Sequence, residues 1–206
     1  MNRLRCIVIL EFATALALGQ ACHWSKPADL SEQPKTLVSN LYKEVVARHP
    51  RGIPEGADMK IFAPYLSKAL QHKIDAANAC YHDWIRQHPD SNLKAPFNWF
   101  ESGFFSGDDE KASPSAFQIE KTQSEKDGSF RVYVRLTLEK PPPEIWQVAA
   151  VMVQENGHFV VDDVIYLNDE NRLVELRLSE YLFAGCDGSR WVGFRDQQKD
   201  QKQQKK

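Results

Sequence analysis

The first well-defined periodicity along the chain is helical. Leu37, Val38, Leu41, Tyr42, Val45 and Val46 recur at intervals of three and four residues, which puts one apolar stripe on a helix from about Lys35 to Arg48. His49-Pro50-Arg51-Gly52 ends it, because neither proline nor glycine favours continuing the helix. A second stripe (Leu66, Leu70, Ile74, Ala77, Tyr81 and Trp84/Ile85) predicts a longer helix from about Ile61 to His88. Pro64 is tolerated near its start and Pro89 closes it.

The period then changes to alternation. Phe97 to Phe105 is aromatic-rich and ends at Gly107-Asp108, and Gly103-Phe104-Phe105-Ser106-Gly107 reads as a turn. Phe117–Thr122 and Phe130–Leu138 flank Asp127-Gly128, a hairpin signal. In the second of these, Val132, Val134, Leu136 and Leu138 share one face, while Arg131, Tyr133, Arg135 and Thr137 share the other. Pro141-Pro142-Pro143 precedes Ile145–Gln154, and Asn156-Gly157 leads from there into Phe159–Tyr166. Glu170 to Phe183 is amphipathic and reads as a helix, although Leu173–Leu178 fits a strand equally well. The predicted fold class is α+β: two N-terminal helices packed on a curved antiparallel sheet of four to five strands, with a short C-terminal helix.

The N-terminus follows a different logic. Arg3 and Arg5 precede an apolar run from Cys6 to Leu18, and small residues then lead to Cys22. That is the layout of a secretory signal peptide, too short for a membrane-spanning helix. The domain plan is therefore a signal at 1–21, a polar linker at 22–34, one domain at 35–194 and a low-complexity polar tail at 195–206. Glu11 interrupts the apolar run, and the alternative is a buried N-terminal helix of a cytosolic protein. Gly19-Gln20-Ala21 suits a signal peptidase for soluble proteins. Cys22 stands where a lipoprotein carries its lipid, though the residues before it fit that box poorly. The expected location is periplasmic or secreted, with a lipid anchor on Cys22 as the one route to a membrane.

An apolar fraction of 42%, with 11 Phe and 5 Trp, calls for a packed core. Net charge is −2, and the tail from Arg195 is basic, so the body is acidic and offers no electrostatic footprint for nucleic acid. Beyond the signal there are three cysteines, Cys22, Cys80 and Cys186. Their simplest arrangement is a Cys80–Cys186 disulfide; the alternative is two buried free thiols. No cysteine has a C-x-x-C partner or a histidine at ligand spacing. His72, His82 and His88 do not stack on adjacent turns of one helix face. No metal and no cofactor is expected.

One late run, Gly157-His158-Phe159-Val160-Val161-Asp162-Asp163-Val164-Ile165-Tyr166, closes a helix-helix-strand-strand-hairpin order. In this it resembles the cone-shaped nuclear transport factor/ketosteroid isomerase-like (NTF2-like) superfamily. Within that group the chain is similar to exported bacterial domains of unknown function, which carry a phrase like Phe62-x-Pro64-Tyr65-Leu66-Ser67-x-x-Leu70. The resemblance spans about Lys35 to Phe183. It implies a pocket between the helices and the concave sheet, where enzymatic relatives hold an Asp base, or a His/Asp pair, with Tyr hydroxyls.

Asp162 and Asp163 are thus the candidate catalytic carboxylates, because alternation sends them to opposite faces and an inward one among Phe and Val could serve as a base. The alternative is that the inward one caps a loop or pairs with an arginine. Arg131, Tyr133 and Arg135 are candidates for holding an anion, or else a solvent face with Glu120 as ion-pair partner. Tyr81, Trp84 and Trp99 belong to an aromatic stretch that is either core or ligand wall. No nucleophile elbow, metalloprotease, Walker or dinucleotide-binding motif occurs. The reading is an exported envelope binding module for a small ligand or protein partner, without demonstrable catalysis. The alternatives are an immunity-type inhibitor of a toxic periplasmic enzyme and an isomerase or dehydratase using a buried Asp.

Overall fold

The computed structural model describes residues 32–89, 103–107, 113–167 and 176–193. The expected signal, the linker up to Ser31, Trp99 and the polar tail lie outside the described residues. Helix α1 (Glu32–Arg48) begins ahead of its stripe. Pro34 sits in the first turn, where a missing N–H costs no helical bond. Pro34, Val38, Leu41, Tyr42 and Val45 are its buried face.

The second predicted helix is not continuous. Helix α2 (Gly56–Phe62) passes into a 3-10 turn (Ala63–Tyr65), then two extended residues, and only then into α3 (Lys68–Gln87). Pro64 lies in the 3-10 turn, and Leu66 and Ser67 adopt extended backbone angles. Leu66 pairs in parallel with Val161, and Ser67 N–H donates to the Val161 carbonyl at 2.8 Å. Ser67 then caps α3 through its hydroxyl, which accepts from Leu70 N–H at 2.9 Å. The apolar stripe reads through this break because Leu66 is buried in the extended link, just where a helical residue would also have been buried.

Five strands form one antiparallel meander, in the order β1 (Ala116–Ser124), β2 (Phe130–Leu138), β3 (Glu144–Glu155), β4 (His158–Leu167), β5 (Leu176–Arg177). Asn156 and Gly157 both take positive φ, as a two-residue I′-type turn between β3 and β4 requires. The helix-facing side carries Val132, Val134 and Leu136 of β2, Val148, Ala150 and Met152 of β3, and Phe159, Val161 and Val164 of β4, all buried. Residues 170–175 of the predicted C-terminal helix lie outside the described residues. Of the rest, Leu176–Arg177 is strand, the alternative reading of Leu173–Leu178, and Leu178–Tyr181 (α4) is helical, followed by a small hairpin of β6 (Cys186–Asp187) and β7 (Arg190–Trp191).

The turn read from the sequence at residues 103–107 is present, and residues 103–106 of it are buried. Gly107 N–H closes it onto the Gly103 carbonyl at 2.7 Å. At Gly107 φ is +66°, and a Cβ would collide with the Tyr166 ring, so both backbone and space select glycine. Phe104 and Phe105 are driven between helices and sheet. Phe105 lies 4.8 Å from Phe62, and Phe104 meets Phe105 edge-on at 4.8 Å. The turn's carbonyls accept from three aromatic donors: Tyr42 hydroxyl to Phe105 (2.9 Å), Trp146 Nε1 to Ser106 (2.8 Å) and Tyr166 hydroxyl to Phe104 (2.7 Å). Complete burial pushes the Tyr42 phenol far above its ordinary pKa, so it acts only as a donor.

Phe105→Ala is expected to cost about 3–5 kcal/mol, the range for truncating a buried aromatic. Tyr42→Phe should cost about 1–3 kcal/mol by leaving the Phe105 carbonyl buried without its donor. Urea unfolding of the two variants checks both, with unchanged midpoints as the contrary result.

Candidate functional site

Asp162 and Asp163 sit at a β-bulge. Val151 pairs with Asp163 and Met152 with Val161, so Asp162 is the extra residue on β4. The bulge interrupts the strict alternation expected there, and the two carboxylates meet different partners. Asp162 accepts the Ser67 hydroxyl at 2.6 Å, at the start of α3. Beside it Glu155, the last residue of β3, accepts Lys68 N–H at 3.1 and 3.3 Å. This end of the helix is thus closed by a hydroxyl cap and a carboxylate, which the helix dipole favours.

Asp163 is 5% exposed. It accepts Val164 N–H (2.9 Å), Ser179 N–H (3.0 Å) and the Ser179 hydroxyl (2.7 Å), with the Arg177 guanidinium at 3.8 Å. It ties α4 and β5 to β4 and is loop cap and arginine partner at once. Both carboxylates are committed to holding elements together.

Arg131, Tyr133 and Arg135 lie on the outer face of β2, opposite its buried valines. Arg131 pairs with Glu125 at 3.0 Å, and Arg135 pairs with Glu120 at 2.5 Å. Glu120 is also held by the Gln147 amide, so the partner expected from sequence bridges two strands. Lys121 stands over the Tyr133 ring at 4.2 Å. The row is a cross-strand network of charges and one cation–π contact, and its guanidinium groups already hold carboxylates.

Trp84 is a core residue, 8% exposed, stacked on His88 at 4.7 Å. Tyr81 packs against the same core and against His82 at 5.4 Å. His82 instead approaches Glu55, 3.3 Å away. Among the described residues no group of His, Cys, Asp and Glu is arranged to hold a metal.

Cys80 and Cys186 form a disulfide across 106 residues of sequence, which removes the free-thiol alternative. Loss of a bridge closing so long a loop costs about 4–5 kcal/mol in the chain-entropy model. A disulfide marks an oxidising, non-cytoplasmic setting, and no described helix is long and apolar enough to cross a membrane. Next to the bridge Asp83 accepts Trp191 N–H at 2.9 Å and Arg86 and Gln87 donors. The Trp191 N–H and these side-chain donors lower its pKa below the ordinary aspartate range.

Sequence reasoning did not identify one shallow groove of about 440 Å3. Leu37 of α1 with Pro64 and Tyr65 of the 3-10 turn form its floor, and Gln33, Thr36 and Asn40 its rim. The signal for it was Pro64: a proline that breaks the second helix swings Tyr65 out toward α1. Comparison of the chain with protein-family models, with curated proteins and with solved structures finds no match.

Asp163→Ala should cost about 2–3 kcal/mol through the buried donors it strands, whereas Asp163→Asn, which keeps one acceptor, should lose less; thermal or urea midpoints report the difference. Asp83 has its folded pKa below the unfolded value, so its contribution is complete above the ordinary aspartate range and is lost as pH falls through the depressed value. Amide protection at Trp191 should accordingly fall in acid, and Asp83→Asn should weaken that protection at neutral pH and flatten its pH dependence.

Proposed function

We propose that the chain is an exported binding protein, periplasmic or secreted, that holds a partner at its surface and catalyses no reaction. The observation that carries this reading is the filling of the space between helices and concave sheet by Phe62, Phe104, Phe105 and Tyr42, all at most 2% exposed. In the NTF2-like superfamily that the sequence resembles, this is the place of the ligand pocket. The order of helices and antiparallel strands is compatible with that likeness. Asp162 and Asp163, the carboxylates an isomerase would use, are engaged by Ser67 and by Ser179. A filled interior and an open groove favour a protein or peptide partner over a small enclosed ligand. The disulfide supports work outside the cytoplasm, with Cys22 as the site of lipid attachment if the protein is tethered.

The test combines location and binding. Intact mass of the protein recovered from the cell envelope should begin at Cys22, with a diacylglyceryl increment if it is tethered. Incubated with envelope extract, the mature protein should form a discrete complex whose partner is chemically unchanged on release. Turnover of any extract component that Asp162→Asn or Asp163→Asn abolishes would install the isomerase reading instead, and an unprocessed mass would remove the export.

A further inference from the structure

The bonds that hold the C-terminal hairpin land on one helix. Cys186 is bridged to Cys80, Trp191 N–H is held by Asp83, and the Trp191 carbonyl accepts Gln87 Nε2 at 3.3 Å. Positions 80, 83 and 87 of α3 form one stripe at spacings of three and four, so the hairpin lies along the last two turns of the helix. The segment just before it is secured differently. Leu178 and Leu182 are at most 1% exposed in the main core, and Asp163 holds Ser179. Gly185, at φ +78°, is the joint between the two, with the Trp191 ring packed where a Cβ would stand.

We propose that this hairpin is a clasp that a dithiol reductant opens while the five-stranded sheet and α1 stay folded. Two-residue strands do not hold a hairpin together in water, so without the bridge its hold on α3 rests on non-covalent contacts such as the Asp83 and Gln87 bonds to Trp191, beside the Val192 N–H bond to the Gly185 carbonyl. The two sulfurs are not equivalent. Cys80 is fully buried, and Cys186 is partly exposed. A thiolate of a C-x-x-C dithiol therefore attacks Cys186 Sγ, forming a mixed disulfide and breaking the native bond. Cys80 leaves as thiolate and takes up a proton. The second thiol of the dithiol then attacks the mixed disulfide, releasing Cys186 as a thiol. The dithiol is oxidised by two electrons and the chain's disulfide is reduced by two. The open form exposes Cys80 and the α3 stripe beside Trp84, a surface the oxidised protein covers.

The test uses the mature oxidised chain with dithiothreitol, read by hydrogen exchange. On reduction, exchange at Cys186, Trp191 and Val192 should rise at least tenfold more than at Val132–Leu136 and Val148–Met152, whose amides stay protected. Exchange rising together across the chain would make the bridge a global staple and overturn the clasp, and so would a hairpin that stays protected. Because Cys80→Ser/Cys186→Ser could fail to fold, the second arm keeps both cysteines. A C-x-x-C oxidoreductase whose resolving cysteine is serine should be trapped on Cys186, and trapping on Cys80, or no trapping, would overturn the proposed route.

Discussion

The arrangement of this domain depends on a turn buried between its layers. Residues 103–107 carry two phenylalanines into the core, and with them backbone carbonyls that water cannot reach. An unpaired buried carbonyl is costly. The fold answers with one donor from each of three elements: Tyr42 of α1, Trp146 of β3 and Tyr166 of β4. Each of these rings is also apolar surface, so a single side chain both fills space and satisfies the turn. The distance from α1 to the sheet is thereby set by two requirements at once: room for Phe104 and Phe105, and hydrogen-bond length to their carbonyls.

A second constraint follows from the break in the helical run. Once Leu66 and Ser67 are extended, they can pair with the edge of β4 at Val161, and α3 must start there. The bulge at Asp162 places a carboxylate opposite the cap residue, and Glu155 supplies another at the first helical N–H. The residues that looked most like catalytic machinery are thus the fittings between α3 and the sheet edge. Asp162 accepts the Ser67 hydroxyl on one oxygen, and Asp163 uses both of its oxygens on the Val164 and Ser179 donors.

The sequence was most legible where periodicity and turn chemistry agree. α1 and the strands β1 to β4 lie close to where stripes and alternation put them, because each buries one face and is bounded by Asp-Gly, Asn-Gly or a proline. The Cys80–Cys186 bridge was legible from cysteine count and apolar surroundings. Legibility failed where two signals coincided. Leu66 kept helical phase while its backbone was extended, so the break around Pro64 was masked. The turn at residues 103–107 was read, but its burial was not, because the donors that make burial tolerable are distant in sequence. The small C-terminal hairpin has no periodicity to read at all: its strands are two residues each, and what holds it is on α3. The groove at Tyr65 was invisible for the same reason, being made by two segments whose approach follows from the helix break.

The two ends of α3 are held by different means, and the difference follows from what each end packs against. At the N-terminal end the neighbours are a strand and its turn, already fixed by long antiparallel ladders, so short hydrogen bonds suffice to locate the helix. At the C-terminal end the neighbour is a six-residue hairpin with too little surface to bury and too few ladder bonds to fold independently. Trp191 is only partly buried, and its backbone is held by half-buried Asp83 and exposed Gln87 of the helix. Such a contact is weak in competition with the conformational entropy of so short a hairpin. A covalent tie is the form of stabilisation that does not depend on buried area, and its sulfur on the helix side, Cys80, is buried in the core while its partner is not. The bridge thus joins the buried core at Cys80 to a hairpin too small to hold itself together.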